Sequence, residues 1–245
     1  MRIAIFGATS AIAEAAARQW AGEGVRFFLV GRNETTLSDI AADLKARGAA
    51  EATTRTADLA RLGEIGTLCH EADEVLQGVD IALIAHGVLP DQDMVTASAN
   101  ALIDSLSVNA MSPAALMIEL GQIMKRRGRG SLVVISSVAG DRGRPSNWAY
   151  GGAKAMLSTM GEGMGLELDG TGVNVIVVKP GFVDTPMTAD FPKGPLWASP
   201  DQVAGDIVKA VSAGRSRTIY TPFWWRWVML IVKFAPGAVI KRFLR

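Results

Sequence analysis

Short apolar runs of four to six residues alternate along this chain with longer stretches of helical periodicity, and that rhythm restricts the fold more than any other feature. A strand covered on both faces reads as a continuous apolar run, and two parallel strands need a crossover long enough to hold a helix. The runs fall at Ile3 to Phe6, Arg26 to Val30, Ala52 to Thr56, Ile81 to Ala85, Leu132 to Ile135, Val173 to Val178 and Thr218 to Tyr220. Helical patterns lie between them, near 11 to 23, 35 to 47, 61 to 76, 97 to 127, 149 to 169 and 200 to 213. A length of 245 residues would allow two small domains, but nothing inside the chain reads as a linker. The expected fold is one α/β domain with a doubly wound parallel sheet of seven strands and helices on both faces. Residues 1–221 form its body and 222–245 a C-terminal extension.

Sheets of this Rossmann type bind ligands outside the carboxyl ends of their strands, where the topology reverses. The residues just past the strands are Gly7-Ala8-Thr9, Gly31-Arg32, Asp58, Ala85-His86-Gly87, Ser136-Ser137 and Pro180-Gly181, all small, polar or Gly-rich. Such a set suits a cofactor cleft.

Gly7 through Ala13 reads as a strand end, a tight turn and a helix start, with Thr9, Ser10, Ala11 and Ile12 at the helix N-terminus. Free backbone N–H groups and the positive end of the helix dipole there would hold a pyrophosphate; a plain capped turn is the competing reading. Enzymes that use NAD usually carry an acid at the end of the second strand, against the ribose 2′-OH. Here Gly31 is followed by Arg32, whose guanidinium can grip a 2′-phosphate, so NADP(H) is the expected cofactor unless Arg32 only opens a solvated loop. Asp58, followed by Leu59, is placed to accept from an adenine amino group or to cap the next helix.

Tyr150 and Lys154 are four residues apart and share a helix face, a spacing that means little alone. Ser137 just past the fifth strand and Asn109 in the preceding helix bring four polar residues to the same strand ends. Reducing a ketone requires a proton at oxygen as hydride reaches carbon, and a phenol with pKa ~10 is poorly matched to neutral pH. An ammonium beside it, together with a cationic nicotinamide, would stabilise phenolate. Ser137 would hydrogen-bond the substrate oxygen, and Asn109 could hold a water linking Lys154 to solvent.

Taken together, these segments resemble the short-chain dehydrogenase/reductase family over nearly the whole length. The resemblance rests on the turn after the first strand, Asp58-Leu59, Ala85-His86-Gly87, Val108-Asn109-Ala110, Ile135-Ser136-Ser137, Tyr150-x-x-x-Lys154 and Pro180-Gly181-Phe182-Val183-Asp184-Thr185. It implies a catalytic set of Ser137, Tyr150 and Lys154 with Asn109, a contact from Thr185 to the nicotinamide carboxamide, and a mobile substrate loop over roughly 183–199. Pro180, Gly181 and Val183 would line the cofactor site. It also implies a homodimer or homotetramer paired through the helices near 97–127 and 149–169, where Gly161, Gly163 and Gly165 would permit close approach. The sequence departs from the family's G-x-x-x-G-x-G turn at Ala11 and Ala13, each of which adds a methyl near the pyrophosphate or the sheet. Ala85 and His86 replace the usual Asn-Ala, and His86 is read as lining the cofactor cleft rather than as a second acid/base.

The net charge of +1 gives no reason to expect a nucleic-acid partner, and it conceals an asymmetry: past Asp206 there are eight Lys or Arg and no acid. Within Pro222 to Lys233, Trp224, Trp227, Val228 and Ile231 fall on one helical face with Arg226 and Lys233 opposite, and Ala238 to Arg245 adds a second basic, apolar turn. The segment reads as an interfacial membrane helix, a subunit contact or a cap on the substrate pocket. Together with Ala85-His86-Gly87 and Leu89-Pro90-Asp91-Gln92, it gives a looser similarity to the decaprenylphosphoryl 2-keto-pentose reductase branch, implying a keto sugar on a lipid carrier. A soluble 3-oxoacyl or small-ketone reductase is the alternative enzyme, and an NADP(H)-binding regulatory or scaffold protein the alternative outside enzymes. A lone cysteine, Cys69, and the absence of a leader pattern suggest a cytoplasmic protein, with peripheral membrane contact at the inner face through the tail. No metal site is expected.

Overall fold

The computed structural model describes residues 1–238. Its sheet has the strand order β3-β2-β1-β4-β5-β6-β7, all parallel. The strands are β1 (Arg2–Phe6), β2 (Arg26–Gly31), β3 (Glu51–Thr56), β4 (Ile81–Ile84), β5 (Gly130–Ile135), β6 (Val173–Pro180) and β7 (Arg217–Thr221). The helices are α1 (Ala11–Trp20), α2 (Glu34–Ala46), α3 (Ile65–Leu76), α4 (Gln92–Ala97), α5 (Ala99–Leu106), α6 (Ser112–Arg127), α7 (Trp148–Glu167), α8 (Pro200–Ser212) and α9 (Trp225–Phe234). Each strand named from the sequence is present, with ends shifted by at most two residues.

The strand side chains alternate between two cores, as the two-residue period of a strand requires. Ile3, Ile5, Phe27 and Leu29 pack under α1, α2 and α8, whereas Ala4, Phe6, Phe28 and Val30 pack under α3, α6 and α7. Fully burying one such large side chain is worth about 1.5–3 kcal/mol, so the paired layers fix the register of the central strands. Cys69 lies in the second core, where burial pushes its thiol up to about 12 and leaves it unreactive.

The single helix expected over 97–127 is three elements. Asp91 caps the short α4 by accepting from the N–H groups of Asp93 and Met94, and an extended Ser98 separates α4 from α5. Between α5 and α6 the helix widens into a π turn over Ser107–Met111, which holds Asn109 fully buried. Insertions of this kind concentrate at functional sites. The run Ala99–Arg127 is long and apolar enough to cross a bilayer by length and composition, but here it packs against α3, α7 and the sheet. Of Gly161, Gly163 and Gly165, the α7 glycines expected to permit subunit approach, only Gly163 faces open space; Gly161 packs on Val177 and Gly165 on Ser216.

Beyond β7, α9 folds back over the strand ends, and Trp225 and Met229 form a small third core with Val138. The stripe expected from the sequence is not the packed one: Trp227 and Ile231 are 60% and 74% exposed. The second basic turn over 238–245 lies, from residue 239 on, outside the described residues.

Candidate active site

A cleft of about 800 Å³ runs along the carboxyl ends of the strands and across the β1/β4 reversal. The residues singled out for the cofactor all border it: Gly7, Thr9, Ser10, Ala11 and Ile12 after β1, Arg32 after β2, Asp58 and Leu59 after β3, Ala85, His86 and Gly87 after β4, and Pro180, Gly181, Val183 and Thr185 after β6. Ser137, Tyr150 and Lys154 line its middle. Asn109 does not; it lies beneath the floor, where its Oδ1 accepts from the Val88 N–H at 2.8 Å and its Nδ2 donates to Ser105 at 3.4 Å.

At the β1 end, Gly7 has φ +88, and a Cβ there would stand 2.6 Å from the His86 backbone nitrogen. Only glycine supports both the turn and that approach, and α1 therefore starts with its unpaired N–H groups at the cleft. The methyl of Ala13 is fully buried in the first core, while that of Ala11 remains at the cleft edge. Arg32 is exposed at the cleft margin. Asp58 accepts from the Ala60 N–H at 3.0 Å through Oδ1, so it shapes the turn after β3 as well as bordering the cleft. An open helix N-terminus with a guanidinium one strand away fits a dinucleotide phosphate set.

His86 makes a 2.9 Å hydrogen bond through Nε2 to Ser112, and its Nδ1 is buried without a protein partner. Burial, with Lys154 nearby, lowers its pKa to about 3, so the ring is neutral and poorly suited to donate protons as a second acid.

The reacting end is assembled by contacts between β5 and α7. Ser136 donates to the Lys154 carbonyl at 2.8 Å and pairs with the Ser158 hydroxyl at 2.8 Å, while Ser158 also bonds that carbonyl. Gly140 and Gly151 let the turn after Ser137 lie directly on α7, since a Cβ at either would meet backbone within 2.8 Å. Farther along that turn, Asp141 accepts from Lys179 at 2.8 Å and from Tyr220 at 2.7 Å, tying it to β6 and β7.

Lys154 is buried, donates to the Ile135 carbonyl at 2.9 Å and stands 5.6 Å from the Tyr150 ring centroid. Burial lowers its pKa to about 8. Burial also raises the Tyr150 phenol to about 12, against which the Ser137 hydroxyl works. The acidified phenol expected from the sequence is thus not a property of the protein by itself, because burial raises it more than the Ser137 hydroxyl lowers it.

Several residues at the cleft were not assigned to the site from the sequence. Trp225 lies on Gly181, where a Cβ would fall 1.9 Å from its indole ring, and Phe182 stacks on Trp197 with centroids 5.5 Å apart. Arg144 lines the cleft from the turn before α7, and Val228, Met229 and Val232 line it from α9. Phe182 lies in the Pro180–Thr185 segment and Val228 on the stripe noted in the tail, whereas Arg144, Trp197, Trp225, Met229 and Val232 belong to no recognisable motif.

A doubly wound sheet with Ser, Tyr and Lys gathered in this order at its strand ends defines a short-chain dehydrogenase, and the chain belongs to that family: the short chain dehydrogenase family model matches residues 2–195. It is an oxidoreductase of a family that uses nicotinamide cofactors. Among its relatives is an uncharacterized oxidoreductase of Mycobacterium tuberculosis, 34% identical over 243 residues, which cover 99% of this chain and 97% of the relative. Another, an uncharacterized oxidoreductase of Streptomyces coelicolor, is 32% identical over 97% of this chain and 94% of its own length. The fold is also that of a crystal structure of an actinorhodin polyketide ketoreductase variant with NADPH, with TM-score 0.77 and 24% identity over 89% of this chain and 95% of that one.

Proposed function

We propose that this protein is an NADP(H)-dependent reductase of a ketone, running in reverse as a secondary-alcohol dehydrogenase, with Tyr150 as acid/base. The observation that carries the reading is the convergence of Ser137, Tyr150 and Lys154 in one cleft whose other end presents Arg32. The bound dinucleotide supplies or accepts the hydride. The Tyr150 hydroxyl delivers a proton to the carbonyl oxygen, and the Ser137 hydroxyl donates to that oxygen where negative charge develops. Lys154 holds positive charge near the phenolate that remains, fixed in direction by the Ile135 carbonyl. Asn109 acts as a positioning residue, holding the segment after Gly87 through the Val88 N–H.

Arg32 supports NADP(H) over NAD(H) because a guanidinium attracts a 2′-phosphate. Thermal unfolding tests this: NADPH should protect the protein more than NADH, and Arg32→Glu should reverse the order. Equal protection by both, unchanged in the variant, refutes the preference. NADPH oxidation with keto sugars, 3-oxoacyl compounds and small ketones tests the activity, and no turnover with any of them favours a binding role without catalysis.

A second reading concerns α9, proposed as part of the catalytic domain and as a contact with a lipid surface. Its inner face walls the cleft, while Phe223, Trp227, Leu230, Ile231 and Phe234 are exposed beside Arg226 and Lys233. Apolar area flanked by cations suits a bilayer interface, as reduction of a lipid-linked keto sugar would require. Flotation with anionic vesicles tests it: Trp227→Ser with Ile231→Ser should release the full chain, and unchanged flotation refutes it. A homodimer through the outer faces of α5, α6 and α7 is supported by exposed Ile103, Met111, Ile118 and Leu166, and light scattering in solution tests it.

A further inference from the structure

The part of the cleft that carries the carbonyl chemistry also holds a charge which that chemistry does not use. Arg144 lies in the turn between β5 and α7 and lines the cleft. It is three strands along the sheet from Arg32, about 14 Å at the usual strand spacing, so it is not part of the adenosine end. Among the described residues no carboxylate pairs with its guanidinium; burial is the one influence on its pKa, which it lowers.

The two cations nearest it on this turn and on β6 are engaged. Arg142 donates to the Ala235 carbonyl at the end of α9 at 3.4 Å, and Lys179 pairs with Asp141 at 2.8 Å. These contacts pin the turn that carries Arg144 on both α9 and the sheet. A half-desolvated guanidinium without a counter-charge is costly to keep in place. Close to it in sequence, Asn147 lines the same cleft with a buried Oδ1 that has no partner. The walls opposite are apolar, with Met187, Phe191 and Leu196 from one side and Val228, Met229 and Val232 from α9.

We propose that Arg144 is the anion-binding residue of the substrate subsite, and that the ketone or alcohol handled by this protein carries a carboxylate or phosphate together with an apolar chain. A guanidinium fork matches either anion through two parallel hydrogen bonds. Asn147 Oδ1, an acceptor, adds a place for a hydroxyl or N–H of the same molecule. The assignment deepens the ketone-reductase reading and rests on it for the word substrate; the anion site itself does not.

The test is calorimetric titration of the full chain, saturated with NADPH, with octanoate, octyl phosphate and octanol. The anion that matches the substrate should bind roughly ten- to hundredfold more tightly than octanol. Arg144→Gln should remove that advantage and leave octanol and NADPH binding unchanged, while Arg144→Lys should retain part of it. Octanoate ahead of octyl phosphate identifies a carboxylate, and the reverse a phosphate. Octanol binding as tightly as both anions, no binding of any probe, or an equal loss for all three in Arg144→Gln overturns the proposal. Tyr150→Phe should bind the probes like the natural protein. Anion binding through Arg144 without NADPH oxidation by any ketone therefore keeps the subsite and rejects the reductase reading.

Discussion

The chain contains two tyrosines, which makes the state of the proposed catalytic phenol directly measurable. With burial holding Tyr150 at about 12, fewer than roughly one molecule in ten thousand carries phenolate at pH 7.5. A unit charge on Lys154, 5.6 Å from the ring centroid, offers about 3 kcal/mol at an effective dielectric near 20, or about two pKa units. That offsets burial and brings the phenol back to an ordinary value of ~10, but no lower. Further acidification toward neutrality is expected from the oxidised dinucleotide, whose cationic ring would stand beside the phenol in the proposed complex. Tyr220 stays out of the way, because burial and its hydrogen bond to Asp141 push its phenol up further.

Absorbance at 295 nm, followed from pH 6 to 8, should therefore show almost no tyrosinate in the protein alone. Adding NADP+ should bring one tyrosinate into that range, and Tyr150→Phe should abolish it. With Lys154→Met the step should move up by about two units, and alcohol oxidation at pH 8 should fall about a hundredfold. A tyrosinate forming near pH 7 without cofactor would refute the balance of burial against charge, as would a step that Lys154→Met leaves in place.

His86 is held neutral in the fold, with a pKa of about 3 against ~6.5 when unfolded. Its contribution is intact above pH 6.5 and declines as pH falls toward 3, by about 1.4 kcal/mol per unit, so His86→Asn should flatten the acid limb of urea-unfolding stability. Gly181→Ala would drive a methyl into the Trp225 ring, and denaturation should show a loss of about 1–3 kcal/mol with red-shifted tryptophan emission. Ser136→Ala and Ser158→Ala should each cost about 1 kcal/mol and the pair less than their sum, because the double variant strands fewer polar groups; strict additivity counts against a shared network. Lys179→Met leaves the nearly buried Asp141 carboxylate unpaired and should cost about 3–5 kcal/mol, much of it recovered on adding Asp141→Asn.

The strands were legible because a parallel strand covered on both faces leaves a run that little else produces. The Ser137, Tyr150 and Lys154 set was legible because strand ends and helix starts fall at fixed places in such a sheet. Other features left weaker signals. A π turn at Asn109 shifts hydrogen bonds without altering side-chain chemistry, so 97–127 reads as one helix. In α9 both faces are apolar, and periodicity cannot choose between Trp225 with Met229 and Trp227 with Ile231; the choice is made by Gly181, whose bare backbone accepts the Trp225 ring. Arg144 gave no signal, because its meaning lies in the absence of a partner, which only packing reveals.

The turn after Ser137 joins these observations. Ser136 fixes its start to α7, Asp141 ties its middle to Lys179 and Tyr220, and the adjacent Arg142 ties it to the Ala235 carbonyl that follows α9. A cation at a helix C-terminus also favours the helix dipole, so the Arg142 contact orients α9 as well as the turn. Ser137, proposed to bind the substrate oxygen, the unpaired guanidinium and the helix with the exposed apolar face thus share one support. That gives the hypothesis a physical route between surface and chemistry: whatever covers the outer face of α9 bears on the element that positions Ser137 and Arg144, without having to touch either.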